Sequence, residues 1–334
     1  MAYDVFISYS SRDCEVRERI CSVMAEERIE CWYDADFIEI GDVWQEKIEK
    51  NLSQSRSIVL IYTENSNRSS QVLSEIRLAG FFQIPIITVR LSKEGINPDI
   101  WKYVSKYRVV DGTENPLETT INALCAYIKK FTNPVGMFSR IGAIARFGFY
   151  PQENGTGIKD PIEWIVLDAN KKQSLLISRY CLDNKVYHDK NVRVNWKDCS
   201  LRQWLNHEFL TSAFSRNEQS ALLPVSFSGA DDNQQIGDCE DRISLLSAHE
   251  VRLYYKNDEE RICAPTDYAI KKETRTNEIN VNEASNWWLR SQAGEYADRV
   301  LANGRILDVF VNAGNTCVRP VLCIDLNNVN EKVR

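Results

Sequence analysis

The sequence predicts two units in series. Residues 1–131 read as an α/β unit with a five-stranded parallel sheet in the flavodoxin-like order 2-1-3-4-5, and residues 138–327 as an α+β unit with antiparallel sheet. Three observations carry this. Short apolar runs rich in β-formers alternate with helical stripes as far as Phe131, the pattern of right-handed crossovers in a parallel sheet. Thr132-Asn133-Pro134-Val135-Gly136 then breaks the rhythm, so 132–137 is read as a linker. After it short strands dominate, and Asn303-Gly304 is a strong hairpin signal. Residues 328–334 are left as a tail.

In the first unit, residues 4–8 suit a strand buried on both faces. Val16, Ile20, Val23 and Met24 recur at helical spacing. Ile29 to Tyr33 reads as the second strand. Gly41 marks a turn, and Trp44, Ile48 and Leu52 form one helical stripe. Ser57 to Tyr62 is the third strand, and Val72, Ile76, Ala79 and Gly80 the face of the next helix. Ile84 to Arg90 tolerates Pro85 near its start, Arg108 to Asp111 is a short fifth strand, and Leu117 to Phe131 a closing helix. In this order the topological switch point lies between strands 1 and 3, and ligands bind beyond their carboxyl ends. The loops there are Ser8–Asp13 and Thr63–Ser70.

In the second unit, Ile144–Tyr150, Glu163–Leu167, Ser174–Ser178 and Arg242–Leu246 read as strands. Leu201, Leu205, Phe209 and Phe214 suggest one helix. Val300–Val311 forms the hairpin, and Cys317–Ile324 a final strand pairing back near it. Trp287 and Trp288 alternate faces on a strand, so at least one is core. Arg290 and Arg319 read as structural ion-pair or hydrogen-bond partners. The long polar stretches Gly229–Asp241 and Lys271–Ala284 are where a rigid scaffold would carry binding loops.

Composition narrows the function. At 334 residues the chain is long enough for two units of ordinary size. No apolar run approaches the roughly 20 residues of a membrane span. The N-terminus begins at once with a strand pattern, so no signal peptide and a cytoplasmic location are expected. A net charge of −6 argues against broad binding to nucleic acid or anionic membranes. The 10 cysteines show no CxxC pair and no zinc-like ladder with histidine, so they are read as free thiols and no metal is expected. Asp231–Asp241 lacks the ligand positions of an EF-hand.

Four blocks in order resemble a bacterial TIR (Toll/interleukin-1 receptor) domain. They are Asp4-Val5-Phe6-Ile7-Ser8-Tyr9-Ser10-Ser11-Arg12-Asp13, Cys31-Trp32-Tyr33-Asp34 with Gly41-Asp42-Val43-Trp44, Ser57 to Tyr62, and Asn65 to Glu75. The resemblance implies either assembly with other TIR domains or cleavage of NAD+ as substrate, with hydrolysis or cyclisation of the ADP-ribose product. It implies no other cofactor. Glu75 matches the glutamate that catalytic members require. A carboxylate suits this chemistry, since nicotinamide leaves without protonation and an oxocarbenium ion forms on the ribose. The resemblance further implies substrate contacts around Glu75 from Ser8, Ser10, Ser11, Arg12, Trp32, Asp34, Trp44, Ser70 and Gln71. Arg12 is either a diphosphate partner or a surface charge. Trp32 either stacks on ligand or packs in the core, and Trp44 also fits a helix stripe. Gln71 departs from the pattern: many catalytic members carry Trp there, one turn before the glutamate. The loop Asp34–Asp42 resembles the family's BB loop, which contacts a neighbouring domain, so activity is expected to depend on self-association.

Residues 138–327 resemble a bacterial domain of unknown function described as C-type-lectin-like, through Phe147-Gly148-Phe149-Tyr150-Pro151-Gln152, Ile162-Glu163-Trp164-Ile165-Val166, Leu201–Asn206, Trp287–Ser291 and Val318–Val321. Among related folds, the formylglycine-generating enzymes need a paired cysteine site. The separated Cys181, Cys199, Cys239, Cys263, Cys317 and Cys323 show none in sequence, which favours binding of an unknown ligand or protein over catalysis. The expectation is therefore an NAD-consuming TIR effector that is switched on through its C-terminal unit, in bacterial anti-phage defence or signalling. The alternative is a non-catalytic TIR adaptor.

Overall fold

The computed structural model describes residues 3–33, 42–130, 136–153, 157–227, 239–272 and 284–330. The first unit runs β1 (Tyr3–Ser8), α1 (Cys14–Glu26), β2 (Cys31–Trp32), α2 (Asp42–Ser53), β3 (Ser55–Tyr62), α3 (Glu64–Asn67), α4 (Ser70–Phe82), β4 (Ile86–Arg90), α5 (Pro98–Val104), β5 (Val109–Asp111) and α6 (Leu117–Lys129). Its sheet has the order β2-β1-β3-β4-β5, with every pairing parallel. The central strands are buried on both faces because helices cover each side. One apolar cluster joins α1 and α6 to the sheet through Ile20, Val23, Leu124 and Ile128. The other joins α2, α4 and α5 through Leu52, Val72, Ile76 and Ile100.

Two details differ from the sequence expectation. The second strand is short, Cys31–Trp32, and Asp4 and Val5 both donate to the Glu30 carbonyl at its start. Helix α5 was not anticipated, although Asn97 caps it and Pro98 opens it, a recognisable start signal. Gly80 lets α5 pack closely on α4: a Cβ there would lie 2.4 Å from the Tyr103 ring.

The second unit begins with β6 (Ile144–Pro151), β7 (Lys159–Ala169), β8 (Gln173–Ser178) and β9 (Asp183–Asn184). Next come α7 (Ser200–Trp204), a π-helical turn (Leu205–Phe209), α8 (Leu210–Ala213) and α9 (Arg216–Ala221). The apolar positions expected on one helix fall along one unbroken helical stretch, Ser200–Ala213, that contains the π-helical turn and ends just before Phe214. The chain continues as β10 (Leu222–Leu223), β11 (Val225–Phe227), β12 (Cys239–Asp241), β13 (Ile243–Ser244), β14 (Trp287–Ala293), β15 (Tyr296–Val300), β16 (Ile306–Phe310), β17 (Cys317–Val318) and β18 (Val321–Asp325). Among the described residues one sheet has the order β10-β18-β8-β7-β6, with β13 also on β18, and another the order β16-β15-β14-β17-β9. The first is antiparallel throughout; the second has one parallel pair, β14 with β17.

The final strand expected over 317–324 is divided between these two sheets. Pro320 has no N–H to continue a ladder, and the chain changes sheet at Arg319-Pro320. Trp287 and Trp288 are both fully buried on opposite faces of β14, in different apolar clusters. Arg290 and Arg319 are structural: Arg290 pairs with Glu250 and donates to the Leu245 carbonyl (2.9 Å), while Arg319 donates to the Ser178 carbonyl (3.1 Å) and lies 4.9 Å from the Trp287 ring centre. Most of the two polar stretches expected as binding loops lies outside the described residues.

The units touch. Phe149 enters the α1–α6 cluster, Arg108 and Tyr127 bond to Asp160, and Lys159 N–H reaches the Lys106 carbonyl (2.8 Å). At the end of α4, Gln219 donates to the Gln83 side-chain oxygen (3.1 Å) and the Arg216 guanidinium sits 4.0 Å over the Phe81 ring.

The hairpin signal is met by a turn over 301–305 between β15 and β16, with Val300 paired to Ile306. Gly304 has φ +84°, and a Cβ would lie 1.8 Å from the Asp258 carbonyl oxygen. Gly304→Ala is expected to destabilise the protein by about 2–4 kcal/mol, from strain plus backbone displacement, measured as a lowered urea midpoint at unchanged m-value.

Candidate active site

Helix α4 carries the central carboxylate. Val72, Glu75, Ile76 and Ala79 recur at three- and four-residue spacing, and all four are buried. Glu75 therefore lies on the core stripe of the helix, 4 % exposed. Burying a carboxylate costs several kcal/mol unless donors meet it. Ser8 Oγ, on a fully buried side chain at the carboxyl end of β1, donates to Glu75 Oε2 at 2.6 Å. Gln71 Nε2, one turn earlier on α4, donates to Glu75 Oε1 at 3.2 Å. The start of α4 is set by Ser69, whose side chain accepts from the Val72 N–H.

The two switch-point loops are latched together by Asp13. It precedes α1 as its N-cap but makes no side-chain bond to that helix. Its oxygens instead accept from Thr63 Oγ1 (2.6 Å) and Asn65 Nδ2 (2.7 Å), so the loop after β1 is tied to the one after β3. Thr63 and Ser66 form a reciprocal capping box that holds α3. On the far side, the Asn67 side-chain oxygen accepts from Asn97 N–H (2.8 Å), and Arg68 pairs with Glu94 (2.9 Å). Glu94 is held below the usual carboxylate range, first by its hydrogen bond from Arg68 and then by that from Asn67.

Ser8, Ser10, Gln71 and Glu75 thus surround the carboxyl end of β1 and the first turns of α4. Ser10 is buried and accepts weakly from Arg12 N–H (3.4 Å). Ser11, Arg12 and Ser70 are exposed at the rim. Trp32 is half-buried and tilts over Phe6 with ring centres 5.0 Å apart, against the same cluster as Val72 and Ile76. One face of Trp32 is therefore packed. Asp34 and the rest of the BB-like loop to Gly41 lie outside the described residues. Trp44 falls within α2, but its side chain also lies outside them.

Sequence reasoning missed Asp13, Thr63 and Asn65 as the latch. The only signal was that each is a polar residue in a switch-point loop. Chemically, the arrangement offers a buried carboxylate reached by neutral donors, beside hydroxyls and an exposed guanidinium. That suits holding sugar hydroxyls and stabilising positive charge on a sugar carbon.

Residues 5–125 match the family model of the TIR domain, and the parallel order 2-1-3-4-5 agrees with it, so this unit is a TIR domain. Residues 171–326 match the model of a domain of unknown function, DUF6273. A stretch of 69 residues is 33% identical to a probable 2' cyclic ADP-D-ribose synthase, TcpO, from Methanobrevibacter olleyae. It covers 20% of this chain and 20% of that protein. Among solved structures, the chain is similar to the TIR domain of the Toll-related receptor TRR-2 from Hydra magnipapillata (14% identity, TM-score 0.33, 38% of this chain and 99% of that one). It is also similar to the TIR domains of the activated Roq1 resistosome that recognises the effector XopQ (14% identity, TM-score 0.31, 37% and 98%).

Asp13→Ala leaves the Thr63 and Asn65 donors without their acceptor. The expected cost is about 1–3 kcal/mol, read as a lower denaturation midpoint. Thr63→Val combined with Asp13→Ala should cost less than the sum of the single changes in a double-mutant cycle.

Proposed function

We propose that the chain is an NAD+-cleaving TIR enzyme, a glycohydrolase or ADP-ribosyl cyclase, with Glu75 as its catalytic carboxylate. The observation that carries this reading is the burial of Glu75 against Ser8 at the end of the central strand. A solvated glutamate at this point of a helix would have no such role. The partial likeness to a protein named as a cyclic ADP-ribose synthase adds support.

In this reading the ribose hydroxyls of NAD+ displace the Gln71 amide as donors to Glu75, while Ser8 keeps the carboxylate oriented. The nicotinamide–ribose bond lengthens, and positive charge grows on the anomeric carbon. Glu75 meets that charge across a site of low dielectric, where the attraction is stronger than in water. Nicotinamide leaves as a neutral base, so one carboxylate is enough. Ser10, Ser11 and Arg12 face the diphosphate from the loop after β1. Trp32 offers its uncovered edge to a ring, and Asp34, Trp44 and Ser70 complete the expected contacts.

Self-association through the TIR domain, with the Asp34–Asp42 loop at the contact, completes the working enzyme. Residues 138–327, read as a lectin-like binding module, sense a ligand or protein and drive that association. The contact of Arg216 and Gln219 with the end of α4 supports coupling, because α4 carries Glu75. A role in bacterial anti-phage defence or signalling, in the cytoplasm, fits such a triggered NAD+ consumer. A second reading, a non-catalytic adaptor acting through TIR–TIR assembly, is favoured by Gln71. Its amide occupies one oxygen of Glu75, where many catalytic relatives carry an indole instead.

The test is nicotinamide release from NAD+ by purified full-length protein at high concentration, with and without a crowding agent. Glu75→Gln is expected to lower release by about 100-fold or more while shifting the melting temperature by only a few degrees. Release by wild type that survives Glu75→Gln removes Glu75 from the role; no release by wild type under any of these conditions favours the adaptor.

A further inference from the structure

An open cleft of about 790 Å³ lies between α1 and β2, on the sheet face opposite α4. Its wall includes Tyr3, Arg17, Cys21, Cys31 and Tyr33. Cys21 comes from α1 and Cys31 from the edge strand. The two thiols line the same cleft close enough to influence each other, and both are partly open to solvent. Cys31 Sγ also lies 3.1 Å from Met24 Sδ. The Arg17 guanidinium is fixed beside them, 7 % exposed, with its centre 4.3 Å from the Tyr33 ring and 5.1 Å from the Tyr9 ring. Its Nε has no hydrogen-bond partner, so its charge is not spent on a close carboxylate there; the Glu18 contact, at 3.6 Å, is made by Nη2.

We propose that Cys21 and Cys31 are a peroxide-oxidisable dithiol, a modification site whose disulfide staples α1 to the edge strand β2. The roles of the two sulfurs follow from their surroundings. The neighbouring Cys31 thiol is the largest influence lowering the Cys21 pKa, with the Arg17 charge also lowering it, while the Cys31 thiol is directed toward Met24 Sδ and its own pKa is raised by Cys21 and by burial. Cys21 is thus the attacking thiolate. It attacks one oxygen of hydrogen peroxide: an S–O bond forms, the O–O bond breaks, and hydroxide leaves to become water on taking a proton. Cys31 sulfur then attacks the Cys21 sulfenic sulfur. The S–S bond forms, the S–O bond breaks, and a second water leaves with the Cys31 proton. Two thiols lose two electrons and two protons, and one peroxide becomes two waters.

The other thiols set the contrast. Cys125 is 3 % exposed and pushed up to about 11 by burial. Cys181, Cys263 and Cys317 gather in the second unit, at 0, 3 and 3 % exposed, and Arg319 stands beside them. Burial shields that trio from an aqueous oxidant. Cys14 is partly exposed, donates to the Ser11 carbonyl and does not line the cleft, so it serves as an internal comparator.

The experiment treats reduced full-length protein with one equivalent of hydrogen peroxide, blocks remaining thiols with N-ethylmaleimide, and maps peptides without reduction. The expected product joins the Cys21 and Cys31 peptides with loss of two hydrogens, formed about tenfold faster than any oxidation of Cys14. In Cys31→Ser, dimedone is expected to trap a sulfenic acid at Cys21. Full alkylation of Cys21 and Cys31 after peroxide, earlier oxidation of Cys14, or dimedone spread evenly over the thiols overturns the proposal. The readout is independent of NAD+ cleavage.

Discussion

The burial of one carboxylate constrains the TIR domain. Glu75 is carried into the core face of α4 by its spacing from Val72 and Ile76. A buried carboxylate demands donors, and one of them is the hydroxyl that ends β1. Ser8 and Glu75 are 67 residues apart in sequence, so their bond fixes the helix after β3 against the strand that begins the chain. Asp13 repeats the logic a few residues away. Its two bonds close the loops that flank the same point. The crevice beyond β1 and β3 is thus held by side chains rather than by backbone ladder alone, and a ligand bound there meets donors whose positions are already set.

The second unit reaches order by different means. Its two sheets share a chain that changes sheet at Pro320, and both faces of β14 are buried beneath a tryptophan. Such a core leaves no solvated face for arginine to occupy cheaply. Arg290 and Arg319 are accordingly bonded to carbonyls, with a carboxylate or aromatic rings completing their surroundings. This unit also reaches the TIR domain. Its β6–β7 hairpin docks on α6 and on the segment just before β5, and α9 meets the end of α4. Glu75 therefore sits on a helix whose start is set by the crevice and whose end is set by the neighbouring unit.

The parallel order of the first sheet was legible because its strands are apolar throughout and its helices have one apolar stripe. The second unit was less legible, since short strands carry too few residues to distinguish one sheet from another. The expected 317–324 strand illustrates this: its apolar pattern continues across Arg319-Pro320, while the missing N–H of Pro320 divides it. The helix expected from Leu201 to Phe214 formed as one continuous stretch, but its π-helical turn was not legible, because the apolar spacing alone does not encode a change of helical pitch. The cysteines separate the two kinds of information most clearly. Cys181, Cys263 and Cys317 are far apart in sequence and carry no spacing motif, yet they meet in space.

By itself the sequence determined the alternation of strands and helices, the switch point, and the apolar stripe of α4 through Val72, Ile76 and Ala79, because hydrophobic periodicity is local and strong. Only the tertiary structure decided what Glu75 is bonded to, which residues latch the loops, and which thiols become neighbours. Those outcomes depend on side chains brought together across tens of residues, where donor and acceptor geometry rather than periodicity chooses the partner.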